Sequence, residues 1–184
     1  MKLIFILFIT TYLSANVKQQ IFNLYQNQQY KKACIYGAKK FNSFRHNEKL
    51  ISLYAFSCLK SDSIDKLSIP IVILKNSKEA RENSAYFSIL LMQKKLLYRS
   101  LIDGYDISNL KLPTTTNIFS KVFDLYLKRD RKKDRNRIEN FYIFTDKDDK
   151  NIQYKLYLSK NTKSYIINIE EFYNGLQIKK HIYK

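Results

Sequence analysis

Two cysteines, two histidines, one adjacent pair of carboxylates, one aspartate-rich loop and one basic run are the groups here that could do chemistry. Cys34 and Cys58 stand 24 residues apart. Neither belongs to a C-x-x-C and no histidine lies close, so the spacing fits neither a zinc site nor a thioredoxin-type motif. Two fates remain, a disulfide or a pair of buried thiols. Both cysteines fall on the apolar faces of neighbouring predicted helices, which makes a bridge geometrically reasonable. It would stabilise the fold by roughly 3 kcal/mol through lost unfolded-state entropy. Glu170 and Glu171 precede Phe172 in a predicted strand. Adjacent strand residues point to opposite faces, so the two cannot flank one bond as acid and base. His46 lies in a polar turn and His181 on a predicted strand, neither with a cysteine or carboxylate at ligand spacing, and both read as surface residues. Asp146, Asp148 and Asp149 share one loop, but it lacks the glycine and distal glutamate of a calcium site, and Lys147 and Lys150 oppose a cation. No Gly-rich phosphate loop, G-x-S-x-G or H-E-x-x-H occurs. No catalytic residue, metal ligand or cofactor is therefore expected. An enzyme would need groups that converge only in three dimensions, such as a His–carboxylate pair in a deep pocket.

The basic run comprises Lys128, Arg129, Arg131, Lys132, Lys133, Arg135 and Arg137, interrupted by two aspartates. As a site it would clamp anionic lipid headgroups or glycan phosphates. As plain structure it is a solvated helix end and linker, with Lys128 and Arg129 well placed at a helix C-terminus.

The elements that must position these groups follow from periodicity. From Val17 to about Lys128 the apolar spacing is helical: Val17, Ile21 and Leu24, then Tyr30 to Phe41, then Leu50 to Cys58. Ser61-Asp62-Ser63 is a turn and cap candidate, and Pro70 either kinks the next helix or sits in its first turn. The longest helix spans Lys78 to Leu101, with Ala85, Ile89, Met92 and Leu96 on its expected apolar face. Asp103-Gly104 breaks it, and Thr114 to Thr116 offer caps for a last helix holding Ile118, Val122, Leu125 and Tyr126. Four strands then follow, at Arg137–Thr145, Asn151–Ser159, Ser164–Tyr173 and Leu176–Tyr183, the last two joined by the hairpin signal Asn174-Gly175. In the fourth strand Leu176 and Ile178 are expected on one face, with Lys179 and His181 opposite. The fold class is α+β: an antiparallel helical-hairpin array followed by a four-stranded antiparallel β-meander. The divisions are residues 1–15, a helical part 16–128, a basic linker 129–137 and a β tail 138–184.

Tyr30, Ile64 and Tyr98 recur every 34 residues, and Ala33, Leu67 and Leu101 keep the same period. The segments around them resemble the helix-turn-helix of tetratricopeptide repeats over roughly residues 17–105. The chain departs from that pattern in lacking the first-helix Trp and Gly and the closing Pro. The resemblance implies stacked helical hairpins, with Cys34 and Cys58 on adjacent helices. It also implies a concave surface where Tyr25, Tyr54 and Tyr86 would line a peptide groove.

Residues 1–15 supply Lys2, an apolar run from Leu3 to Leu13 and a small residue at Ala15, the layout of a cleaved signal peptide. At eleven residues the run is short of the roughly twenty that span a bilayer. If uncleaved, residues 3–13 would anchor the chain; if cut after Ala15, the chain is periplasmic. With 45% apolar residues and 15% aromatic, a real core is expected. The net charge of +17 is compatible with a polyanion partner, but Lys, Ile, Asn and Tyr make up 78 of 184 residues, and all four have A/T-rich codons. Much of the lysine excess then reads as solvated surface, and export removes most of the reason to expect nucleic acid. The function expected is that of an exported, non-enzymatic interaction protein of the bacterial envelope, its partner another envelope protein or peptide. The alternative is a module holding anionic lipid or glycan through the basic run.

Overall fold

A computed structural model describes residues 16–129, 141–162 and 164–184. Its fold is α+β, with six α-helices among the described residues followed by a four-stranded antiparallel sheet. The helices are α1 (16–26), α2 (Tyr30–Lys40), α3 (Glu48–Lys60), α4 (Ser68–Ile73), α5 (Lys78–Asp103) and α6 (Ile118–Leu127). The chain divides into two compact units between Ser88 and Ile89, inside α5.

In the first unit the core gathers Ile21, Ala33, Ile51, Ala55, Ile64 and Phe87, all fully buried. Helices α2 and α3 pack closely because Gly37 faces the Tyr54 ring: a Cβ there would stand 2.5 Å from Tyr54 Cδ2. Asn47 caps α3, its side chain accepting from the Leu50 amide at 3.1 Å. Pro70 takes the first-turn alternative, since α4 begins at Ser68 after a 3₁₀ turn over Ile64–Leu67.

The second unit holds the rest of α5, α6 and the strands β1 (Phe141–Thr145), β2 (Ile152–Lys160), β3 (Tyr165–Tyr173) and β4 (Leu176–Tyr183), in spatial order β1-β2-β3-β4. Residues 137–140 of the expected first strand lie outside the described residues. One sheet face buries Leu156, Ile167, Ile169 and Tyr183. Helix α6 meets it edge-on through rings, Phe119 on Tyr183 (centroids 4.7 Å apart) and Tyr126 on Tyr142 (5.0 Å).

Three local expectations are corrected. Helix α6 is capped by Asn117, which accepts from the Phe119 amide at 2.9 Å, rather than by Thr114 to Thr116. Along α5 the buried stripe is Ala80, Phe87, Leu90 and Leu97 together with Gln93, Lys94 and Ser100, while Ala85 and Met92 are exposed. Apolar residues occur on several faces of α5, and the three polar residues on the buried stripe hid its period. They are held by hydrogen bonds: Gln93 Nε2 donates to the Pro113 carbonyl at 3.0 Å, Lys94 Nζ to the Lys184 carbonyl, and Ser100 pairs with the Tyr126 hydroxyl at 3.1 Å. In β4 the faces are exchanged, with His181 and Tyr183 buried while Ile178 and Ile182 are 60% and 44% exposed. Asn174 and Gly175 both have positive φ, as the expected two-residue turn demands. A regular hairpin from that turn would set Glu171 opposite Ile178. Instead Phe172 pairs with Gln177 and Glu171 with Lys179, so Ile178 is an extra residue, and a one-residue slip reverses every later side chain.

Candidate functional site

The cysteines form the disulfide. Cys34 on α2 and Cys58 on α3 are bonded across a Cα–Cα distance of 4.7 Å, both buried. The bridge points to an oxidising, exported environment. No helix among the described residues is long and apolar enough to cross a membrane.

Two clefts flank the titratable groups. In the first unit, Arg45, His46, Glu48, Val72, Ile73, Lys75 and Asn76 line a cleft of about 380 Å³. Its floor is built by Glu48, the first residue of α3. Its carboxylate accepts from three successive amides, of Lys75 (3.0 Å), Asn76 (2.8 Å) and Ser77 (3.0 Å). Those amides, Asn76 foremost, hold the Glu48 carboxyl at about 2. Arg45 Nε donates to His46 Nε2 at 3.1 Å, leaving a basic wall beside the exposed Val72.

In the second unit a cleft of about 180 Å³ is lined by Thr114, Thr115, Lys121, Asp124, Leu125, Asp146, Lys147 and Asp148. Asp146 is the anchor of the β1–β2 turn, accepting from the Tyr154 hydroxyl (2.5 Å) and the Asp148 amide (2.9 Å), with Lys121 Nζ at 3.5 Å. Burial pushes the Asp146 carboxyl up, but these partners outweigh it and hold it below the usual carboxylate range. Asp124 pairs with Lys128 and Lys147. Every carboxylate of this cleft that is buried or half-buried is thus answered by a cation or an amide.

Glu170 and Glu171 do lie on opposite sheet faces. Glu170 accepts from Tyr157 Oη (2.8 Å) and pairs with Lys180 (3.1 Å). Glu171 faces His181 Nε2 at 2.7 Å, and that contact holds its carboxyl below the usual range. His181 is therefore a buried partner of a carboxylate, not a surface residue; the slip at Ile178 brings it inward. A His–carboxylate pair thus exists, but neither member lines the neighbouring cleft. Among the described residues no group of three or more His, Cys, Asp or Glu could hold a metal ion.

The three tyrosines keep separate company. Tyr54 is buried against Phe41 and Phe44, where no partner reaches it. Tyr25 packs edge-on to Tyr30, and Tyr86 lies against Phe56 and Phe87. Of the basic run, Lys128 pairs with Asp124, and Arg129 stacks on the Tyr126 ring at 3.6 Å. Arg131, Lys132, Lys133, Arg135 and Arg137 lie outside the described residues. Compared with family models, curated proteins and solved structures, the chain finds no match in any of the three.

Proposed function

We propose that this is an exported, non-enzymatic interaction protein of the bacterial envelope, released into the periplasm by cleavage after Ala15. Its helical unit, which resembles tetratricopeptide hairpins, docks a peptide segment of another envelope protein. The observation that carries this reading is the cleft over Glu48, where exposed Val72 (75%) and half-buried Ile73 stand with the basic side chains of Arg45 and Lys75. A shallow cleft with an apolar rim and a cationic wall suits an extended peptide with an acidic residue or terminus. The titratable groups favour docking over catalysis, because Glu48, Asp146, Glu170 and Glu171 are each committed to structural partners. The disulfide supports the exported location.

The test is affinity capture from the organism's own envelope at low and high salt. The reading requires a protein partner that survives salt and is lost when the exposed Val72 is changed to Ser. A partner held equally well by the Val72→Ser variant would refute the cleft. Mass measurement of the exported protein should find Asn16 at its N-terminus.

A further inference from the structure

Helix α2 carries charge where its own stability would not place it. Lys31 and Lys32 occupy the first turn, where unpaired amides already concentrate positive potential. No acid offsets them, and Gln29 supplies no side-chain cap. A rule of helix construction is broken here without local compensation, which is expected where a surface serves something else.

Steps of four order the outward surface. Lys31, Ile35 and Lys39 form one row; Lys32, Tyr36 and Lys40 form the next. All four lysines are exposed, Ile35 is 49% exposed and Tyr36 half-buried. None of the four forms an ion pair with a described residue. Lys18 and Phe22 on α1 are a further exposed cation and apolar residue four positions apart, and no Asp or Glu occurs anywhere in residues 16–47. The opposite face of α2 is bound to α3 through Cys34–Cys58, so the helix cannot roll its lysines away.

We infer that the outer face of α2 docks flat on an acidic phospholipid surface. The lysines meet headgroup phosphates, and Ile35 and Tyr36 enter the interfacial layer between them. Each row alternates cation, apolar residue, cation, and a bilayer surface supplies complements to both. The face is a convex helix, and its lysines, Ile35 and Tyr36 line neither of the two clefts described above. This surface is separate from the peptide cleft and stands or falls independently of it.

Vesicle co-sedimentation of the chain as isolated from producing cells tests the inference. It should sediment with phosphatidylcholine vesicles containing about one third phosphatidylglycerol and not with phosphatidylcholine alone, and binding should fade from about 0.05 to about 0.5 M salt. Lys31→Glu with Lys39→Glu should weaken binding at least about tenfold. Lys31→Glu alone should raise the thermal midpoint, which separates lost binding from lost folding. Ile35→Ser should weaken binding a few-fold and leave its salt dependence unchanged. Equal binding to both vesicle types would overturn the inference. So would acidic-vesicle binding that survives the α2 changes but disappears with Arg131→Glu and Arg135→Glu. Soluble polyglutamate competing as well as vesicles would replace the bilayer with an acidic protein, and overturn it too.

Discussion

The helical unit and the unit that carries the sheet treat buried polar groups in opposite ways. Among the described residues up to Ser88, only Ser52 and Ser57 are buried polar side chains, and the helices are ordered by apolar shape, one covalent bridge and hydrogen bonds nearer the surface, those of Glu48 among them. From Ile89 onward, Gln93, Lys94, Ser100, Ser120, Asp146, Asn168 and His181 are all buried, each with a hydrogen-bonded or ionic partner. Apolar contacts are undirected and tolerate small slips; a buried hydrogen bond is lost outright when its partner moves. The first unit is therefore held by connectivity and the second by register.

The bridge is the sharpest way to break that contrast. Cys34→Ser/Cys58→Ser should cost about 3 kcal/mol, a fall of roughly 10 °C in thermal midpoint. Unfolding with and without reductant checks it, and a change under about 2 °C would show that shape alone holds the hairpin. Register is probed by a smaller change: Ile169→Val should cost about 1 kcal/mol, whereas Ile182→Val, on the exposed face, should be near neutral. Equal costs in denaturant titrations would mean that β4 is not slipped. The smallest effect concerns Glu48. Its folded carboxyl lies at about 2, below the ordinary 4.5. Its contribution is thus complete above about pH 4.5 and fades as the pH falls towards 2. Glu48→Gln should lower the midpoint modestly at pH 7, with the gap to the parent protein closing in acid. A gap that stays constant with pH would show that the carboxylate's charge does not matter.

Much of the architecture was legible in the chain. The β3–β4 turn was readable because Asn174-Gly175 has one dominant use, and the cysteine pairing because both residues sat on apolar stripes. Faces were harder. On α5 a period count favoured Met92 over Leu90 because Gln93 and Lys94 look like solvent residues until their acceptors, at Pro113 and Lys184, are known. On β4 the alternation was read correctly for a regular hairpin, and one unpaired residue inverted it. The His181–Glu171 contact was invisible for that reason: ten positions separate the two, and only the slipped register joins them. The carboxylate of Glu48 reaching amides 27 to 29 residues away carries no local signal at all.

Ile178 makes the last strand sensitive to added length, because the extra residue already sits between the turn and the pairing that follows. Losing that single codon would remove the bulge and leave Lys179 opposite Glu171 and His181 opposite Ile169, so the contact with Glu171 would survive. One residue inserted beside Ile178, with the bulge still a single residue, would instead set His181 opposite Asn168 and turn it out to solvent while drawing Ile182 inward. In related chains, single-residue insertions between Gly175 and Lys179 should be rarer than single-residue deletions there.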